Sequence, residues 1–214
     1  MEIKINNLIK RYGSKTAVDI PDFTLHEGEI LGLVGNNGAG KTTLFRLMLD
    51  LLQADSGTVC MNGTDVARSE EWKTFTGAYM DESFLIDYLT PDEYFQFNGR
   101  MCGLDRNTVN ERIRRYERFL GPEILEEKKF IRNLSAGNKQ KIGIVNALLQ
   151  NPQIIILDEP FNFLDPTSQS LLKTHATTLR RRTQSPDPCI ESQPEPHHRP
   201  QYAHRPDGKR IAHP

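Results

Sequence analysis

The sequence predicts an α/β fold: an antiparallel β-layer at the N-terminus, a core built on a mixed or parallel sheet, and an all-helical insert within that core. Three observations carry this. EILGLVG, starting at Glu29, is a compact apolar run that breaks into glycines and then into KTTLFRLMLDLL, whose apolar residues recur at helical spacing. Strand, loop and helix therefore follow in that order. QIIILDEP, starting at Gln153, has the unbroken apolar character of a strand covered on both faces. Between them, the block from about residue 90 to 135 shows helical periodicity only.

The remaining elements follow from local chemistry. EIKINNLIKRY alternates well enough for a strand, and TAVDIPDFTLHEGEI predicts a second, closed by a Glu-Gly turn. DSGTVCMNGTDV predicts a short hairpin arm, because Asn62 and Gly63 tolerate positive φ. Thr90, Pro91 and Glu93 stand as N-cap, first helical residue and capping-box acid, so a helix opens there. A second helix spans roughly NTVNERIRRYERFL. After Ser135 the pattern GNKQKIGIVNALLQ is helical until Asn151-Pro152 stops it. Asp165-Pro166-Thr167 opens a further helix expected to continue through Leu171, Leu172 and Leu179.

Composition changes abruptly near residue 174: seven of the thirteen prolines and five of the six histidines lie from His175 onward. The expected organisation is one domain over residues 1–174, cut short at its C-terminal end, and a disordered or aberrant tail over 175–214, whose stretch from Ser185 onward supplies no regular strand or helix. That tail is expected to be aberrant, as a reading-frame shift would leave it, or else a native disordered extension. No segment approaches the ~18 uninterrupted apolar residues of a membrane span, and the N-terminus lacks the apolar block of a secretory signal. Net charge is −1, which gives no reason to expect nucleic acid as a partner. Cys60, Cys102 and Cys189 show no metal-ligand or disulfide-framework spacing, and reduced cytosolic thiols are expected.

Residues 35 to 42, GNNGAGKT, satisfy G-x-x-x-x-G-K-[ST] between a predicted strand and a predicted helix. Along Gly35, Asn36, Asn37, Gly38, Ala39 and Gly40, the glycines let backbone N–H groups converge on a phosphate, and the helix N-terminus adds positive potential. Lys41 is placed to bridge β- and γ-phosphates, Thr42 to offer its hydroxyl to Mg²⁺, and Thr43 to reach the α-phosphate region. The core is therefore expected to be that of a P-loop nucleoside triphosphatase. Its acidic half lies at the end of QIIILDEP: Asp158 on the magnesium side, and Glu159 as general base for the attacking water. The plainer reading makes the pair a cap for the next element.

A cradle and an acidic strand leave several kinds of phosphoryl-transfer protein open. LSAGNKQ, residues 134 to 140, narrows them: the chain resembles the ATP-binding cassette family of transporter nucleotide-binding subunits, whose signature LSGGQ stands shortly before the acidic strand. The resemblance implies that Ser135, Ala136, Gly137 and Asn138 face ATP held by a second ATP-binding subunit, in a homodimer or heterodimer. Ala136 and Asn138 depart from the signature and are expected to weaken that grip. A serine-capped helix without a ligand is the plainer alternative.

Other positions match one at a time. Tyr12 falls where the family stacks an aromatic ring on adenine, although a tyrosine at a strand end also serves edge packing. Asp165, in Phe163-Leu164-Asp165, corresponds to a residue of the loop that crosses the dimer interface, and an ordinary N-cap role is compatible with it. Glu82, in YMDES, takes the place of a magnesium-side glutamine, or is a solvated surface acid. The family's histidine at the end of a further strand has no clear counterpart: His175 comes too early, and His197 and His198 follow no apolar strand.

The resemblance thus implies an ATPase with ATP and Mg²⁺ as ligands, driving transport, expected to be export, through a separate integral membrane permease. Such a subunit is cytoplasmic and peripheral on the inner face of the membrane. A nucleotide-binding remnant without turnover and a non-transport member of the family are the alternatives.

Overall fold

The structure, a computed structural model, describes residues 1–182, 189–193 and 201–204. In chain order its elements are β1 (Glu2–Tyr12), β2 (Lys15–His26), β3 (Ile30–Val34), α1 (Lys41–Met48), β4 (Ser56–Met61), β5 (Thr64–Asp65) and β6 (Thr76–Tyr79). There follow α2 (Pro91–Met101), α3 (Arg106–Arg114), α4 (Glu117–Leu120), α5 (Pro122–Leu125), α6 (Ala136–Leu148), β7 (Ile154–Leu157), α7 (Pro166–Arg182), β8 (Cys189–Gln193) and β9 (Gln201–His204).

The first layer is the antiparallel sheet β2-β1-β4-β5. Ile3 and Ile5 are buried while Lys4 between them is exposed, which is the period-two pattern of a half-covered strand. Asn62 (φ 51°) and Gly63 (φ 80°) make the left-handed turn between β4 and β5, as the dipeptide predicts.

The core sheet runs β6-β7-β8-β3-β9, parallel except where β9 pairs antiparallel with β3. One apolar cluster lies between the two sheets around Phe45, Met48 and Met61; a second joins the insert to α6 and β7 through Phe95, Phe119 and Ile142. Such burial supplies the main favourable term in folding. Close packing of α6 on β6 depends on two glycines. An added Cβ would fall 1.9 Å from the Ala147 carbonyl oxygen at Gly77, and 2.0 Å from the Tyr79 ring at Gly143.

The helical insert contains α2 to α5. Thr90 and Glu93 form the expected capping box, with the Thr90 N–H donating to Glu93 Oε2 at 2.8 Å. The single helix expected over 107–120 is instead two, α3 and α4, separated around a buried Tyr116. β6 was not legible, since four residues that include a glycine give too short a pattern to read.

The helix expected to open at Asp165 and continue through Leu179 is α7, which runs to Arg182. The expectation that the stretch from Ser185 onward supplies no regular strand is corrected at two places. β8 fills the slot between β3 and β7, and β9 covers the far edge of β3. The physical reason is that a parallel ladder is made by backbone N–H and C=O groups, and an unfilled slot would leave two rows of them unpaired. Side-chain periodicity carries little of that information. The remainder of the tail, with His197 and His198, lies outside the described residues.

Candidate functional site

The cradle forms because β3 delivers the chain into Gly35–Gly40 and α1 begins at Lys41. Ala39 N–H donates to the Asn36 carbonyl at 3.0 Å, closing the loop on itself. Gly38 and Gly40 have φ of 82° and 92°, a region that disfavours any side chain. At Gly40 the demand is also steric: an added Cβ would lie 2.1 Å from the Ala17 carbonyl oxygen. Lys41 folds back, donating from Nζ to the Gly35 carbonyl at 2.6 Å and the Asn36 carbonyl at 3.4 Å. The ammonium group is thereby held over the loop where a phosphate would lie.

The acidic strand meets this cradle from the side. Asp158 is buried, its N–H donates to the Tyr79 carbonyl at 2.9 Å, and its Oδ2 accepts from the Thr42 hydroxyl at 2.5 Å. Thr42 and Asp158 therefore converge as the sequence predicts. A hydroxyl and a buried carboxylate side by side suit Mg²⁺, which takes few protein oxygens and completes its shell with phosphate and water.

Glu159 follows in a left-handed conformation (φ 48°), uncommon for a residue with a side chain and costing about 1–3 kcal/mol. Its Oε2 accepts from Asn162 Nδ2 at 2.5 Å, and its carbonyl accepts from Asn162 N–H at 3.1 Å and from Gln140 Nε2 at 3.1 Å. An open cavity of about 410 Å³ is lined by Tyr12, Lys15, Ala17, the stretch from Asn37 to Thr43, and Glu159. Its size is that of a small-molecule site. Tyr12, 53% exposed, offers its ring at the rim, and Thr43 lies on the wall.

Ser135, Ala136, Gly137 and Asn138 do not line this cavity. They form the exposed or half-buried tip of α6, where the Ser135 hydroxyl oxygen accepts from Asn138 N–H at 3.3 Å. A hydroxyl used as acceptor keeps its own hydrogen for donation. Asn138 turns its amide to Glu123 Oε2 at 3.0 Å. Gly137 admits a close approach from within the chain, since an added Cβ would lie 2.6 Å from the Phe163 carbonyl oxygen.

Asp165 caps α7, accepting from Ser168 N–H at 2.9 Å and from the Ser168 hydroxyl at 2.5 Å. These bonds, the hydroxyl's foremost, lower its pKa. Glu82 is not brought to the cavity; its carboxylate pairs with Lys139 of α6 at 3.0 Å, because the short 3₁₀ turn that carries it packs beside that helix.

Sequence reasoning missed four residues. Lys15 donates to the Gly38 carbonyl at 3.4 Å, Asn162 holds Glu159, Gln140 reaches the Glu159 backbone, and Lys139 takes Glu82. Only Asn162, three residues beyond the acid, carried a local signal; the other contacts bridge elements distant in sequence.

Fold and site together define a P-loop nucleotide-binding domain whose α6 tip is not part of its own cradle's cavity. Comparison with known proteins takes this further: the family model for ABC transporters matches residues 18–162, and the chain belongs to that family. It is 36% identical over 174 residues to the uncharacterized ABC transporter ATP-binding protein MJ1023 of Methanocaldococcus jannaschii, covering 80% of this chain and 61% of that protein. It is 34% identical over 167 residues to the ABC transporter ATP-binding protein NatA of Bacillus subtilis, covering 77% and 68% respectively. A solved ATP-binding subunit of an ABC transporter superimposes with a TM-score of 0.76 at 26% identity, covering 90% of this chain and 80% of that one. The chain thus spans about three fifths to two thirds of the length of these two curated relatives. Members of the family bind ATP, hydrolyse it in general, and work with membrane permeases. No helix among the described residues is long and apolar enough to cross a membrane.

Proposed function

We propose that this chain is an ATP-binding subunit that hydrolyses Mg-ATP between two head-to-tail copies, or with a related subunit, and drives export through a separate permease. The observation that carries the reading is the separation of the cradle from the Ser135 tip, which leaves each chain with half of two sites. Lys41 exchanges the Gly35 and Asn36 carbonyls for phosphate oxygens. Thr42 and Asp158 hold the metal, whose charge when bound offsets that of the phosphates. Glu159 takes the proton of the attacking water and is held toward it by Asn162. Ser135 donates to the partner's nucleotide. The insert, through exposed Phe97 and Met101 on α2, is the face offered to the permease.

The test is ATP turnover and nucleotide-dependent association of the full chain, its Glu159→Gln variant and its Ser135→Arg variant. Turnover lost by about 10²-fold or more in Glu159→Gln, with a trapped dimer in that variant, supports the reading. A monomer under all nucleotide conditions, or turnover indifferent to Ser135, defeats it. A second reading, binding without turnover, is favoured by one observation: β8 ends at Gln193 where the family resemblance implies a histidine. Tight ATP binding with no hydrolysis by the unmodified chain would select it.

A further inference from the structure

We infer that Gln140 is a positioning residue for Glu159: its amide fixes the backbone turn from which the base carboxylate is aimed. The inference rests on the reading of Glu159 as the base. Gln140 is 6% exposed in the middle of α6, and both ends of its amide are used. Nε2 donates to the Glu159 carbonyl at 3.1 Å, and Oε1 accepts from the Tyr79 hydroxyl at 3.1 Å. The amide orientation follows from its partners, because a carbonyl can only be served by the –NH₂ end. Tyr79 must then be the donor, and burial, with Asp81 and Glu82 nearby, raises its pKa and keeps that proton on the ring.

The geometry at Glu159 shows why a tether is needed. At φ 48° the residue sits in a minor backbone well, and its carbonyl is gripped from two directions, by Asn162 N–H at 3.1 Å and by Gln140. Two donors on one carbonyl fix the peptide plane that follows Glu159, and with it the turn that brings Asn162 Nδ2 to the carboxylate. The anchor behind Gln140 is itself fixed, since the Tyr79 ring lies against Gly143 with no room for a Cβ. Ser135 opens the same helix five residues earlier, so displacement of the tip is transmitted to the tether as a rigid-body shift.

A buried glutamine that merely satisfies its neighbours is separated from a positioning residue by four full-length chains: unmodified, Tyr79→Phe, Gln140→Leu, and the two substitutions combined. Gln140→Leu strands the Tyr79 hydroxyl, whereas the double variant removes that hydroxyl too, so thermal stability should recover in the double variant. Positioning is read by hydrogen exchange of the Asn162 amide and by kcat. Exchange should quicken about 10-fold and kcat fall about 10- to 100-fold in both Gln140→Leu chains, with the KM for ATP within about 2-fold and Tyr79→Phe near the unmodified chain.

Exchange or kcat in the double variant at the Tyr79→Phe level overturns the inference, whatever its stability. If the unmodified chain has no turnover, or Glu159→Gln leaves turnover intact, the underlying reading of Glu159 fails, and exchange alone decides whether Gln140 fixes the turn. Gln140→Met, closer in side-chain length, replaces Gln140→Leu should the latter fail to fold.

Discussion

The Thr42 hydroxyl donates to Asp158 Oδ2 at 2.5 Å, tying the head of α1 to the end of β7 across 116 residues of chain. The strands that lead into these two residues do not touch, because β8 lies between them. Asp158→Asn keeps an acceptor for Thr42 and removes only the charge. ATP affinity in a chelator should stay unchanged, while the extra affinity gained with Mg²⁺ falls by about 10-fold, or ~1.4 kcal/mol. Calorimetric titration with and without the metal measures both.

Gly40→Ala should dismantle the cradle. The new methyl would meet the Ala17 carbonyl oxygen at 2.1 Å, and φ of 92° is strained for any side chain. Either β2 retreats or the loop changes course, and the ammonium of Lys41 loses its placement. ATP binding should weaken by at least about 10-fold, whereas Gly63→Ala, which also carries a positive φ but meets nothing within 4 Å, should leave it unchanged. Equal binding by the two variants would refute this.

Gly137→Ala separates binding from turnover. Its methyl would fall 2.6 Å from the Phe163 carbonyl oxygen, pushing apart the α6 tip and Phe163, neither of which lines the cavity. ATP affinity of the isolated chain should hold within about 2-fold, and kcat should fall by about 10-fold or more. A loss of affinity equal to the loss of kcat would show that the tip acts within its own chain.

Much of this site was legible in the sequence because its chemistry is local. GNNGAGKT names its own loop, and LDEP places Asp158 and Glu159 by adjacency. Glu82 kept two readings in the sequence because its surroundings are set by Lys139, 57 positions away in the chain, with which it pairs at 3.0 Å. β8 was missed because the ladder between β3 and β7 selects backbone, and CIESQ shows neither alternation nor an apolar run.

Acid should loosen the insert through Glu93. Hydrogen bonds from the Thr90 N–H, foremost, and the Thr90 hydroxyl lower its pKa below the ordinary 4.5. The ionised form therefore favours the fold: its contribution is complete above that value and drains away as pH falls through the lowered one. Glu93→Gln should flatten this part of the acid limb by removing that contribution near neutral pH, leaving stability at the acid end less changed. Denaturant titrations between about pH 3 and 6 provide the measurement.

The place of β8 has a consequence for biosynthesis. The phosphate-binding strand β3 and the acid-bearing strand β7 are both synthesised before the rung between them, which is drawn from residues 189–193. Until those residues clear the exit tunnel, the nascent sheet has a gap through its middle, flanked by two unpaired parallel edges open to chaperones or to a neighbouring chain. Until then this polypeptide carries a recognisable nucleotide loop without the closed floor beneath it.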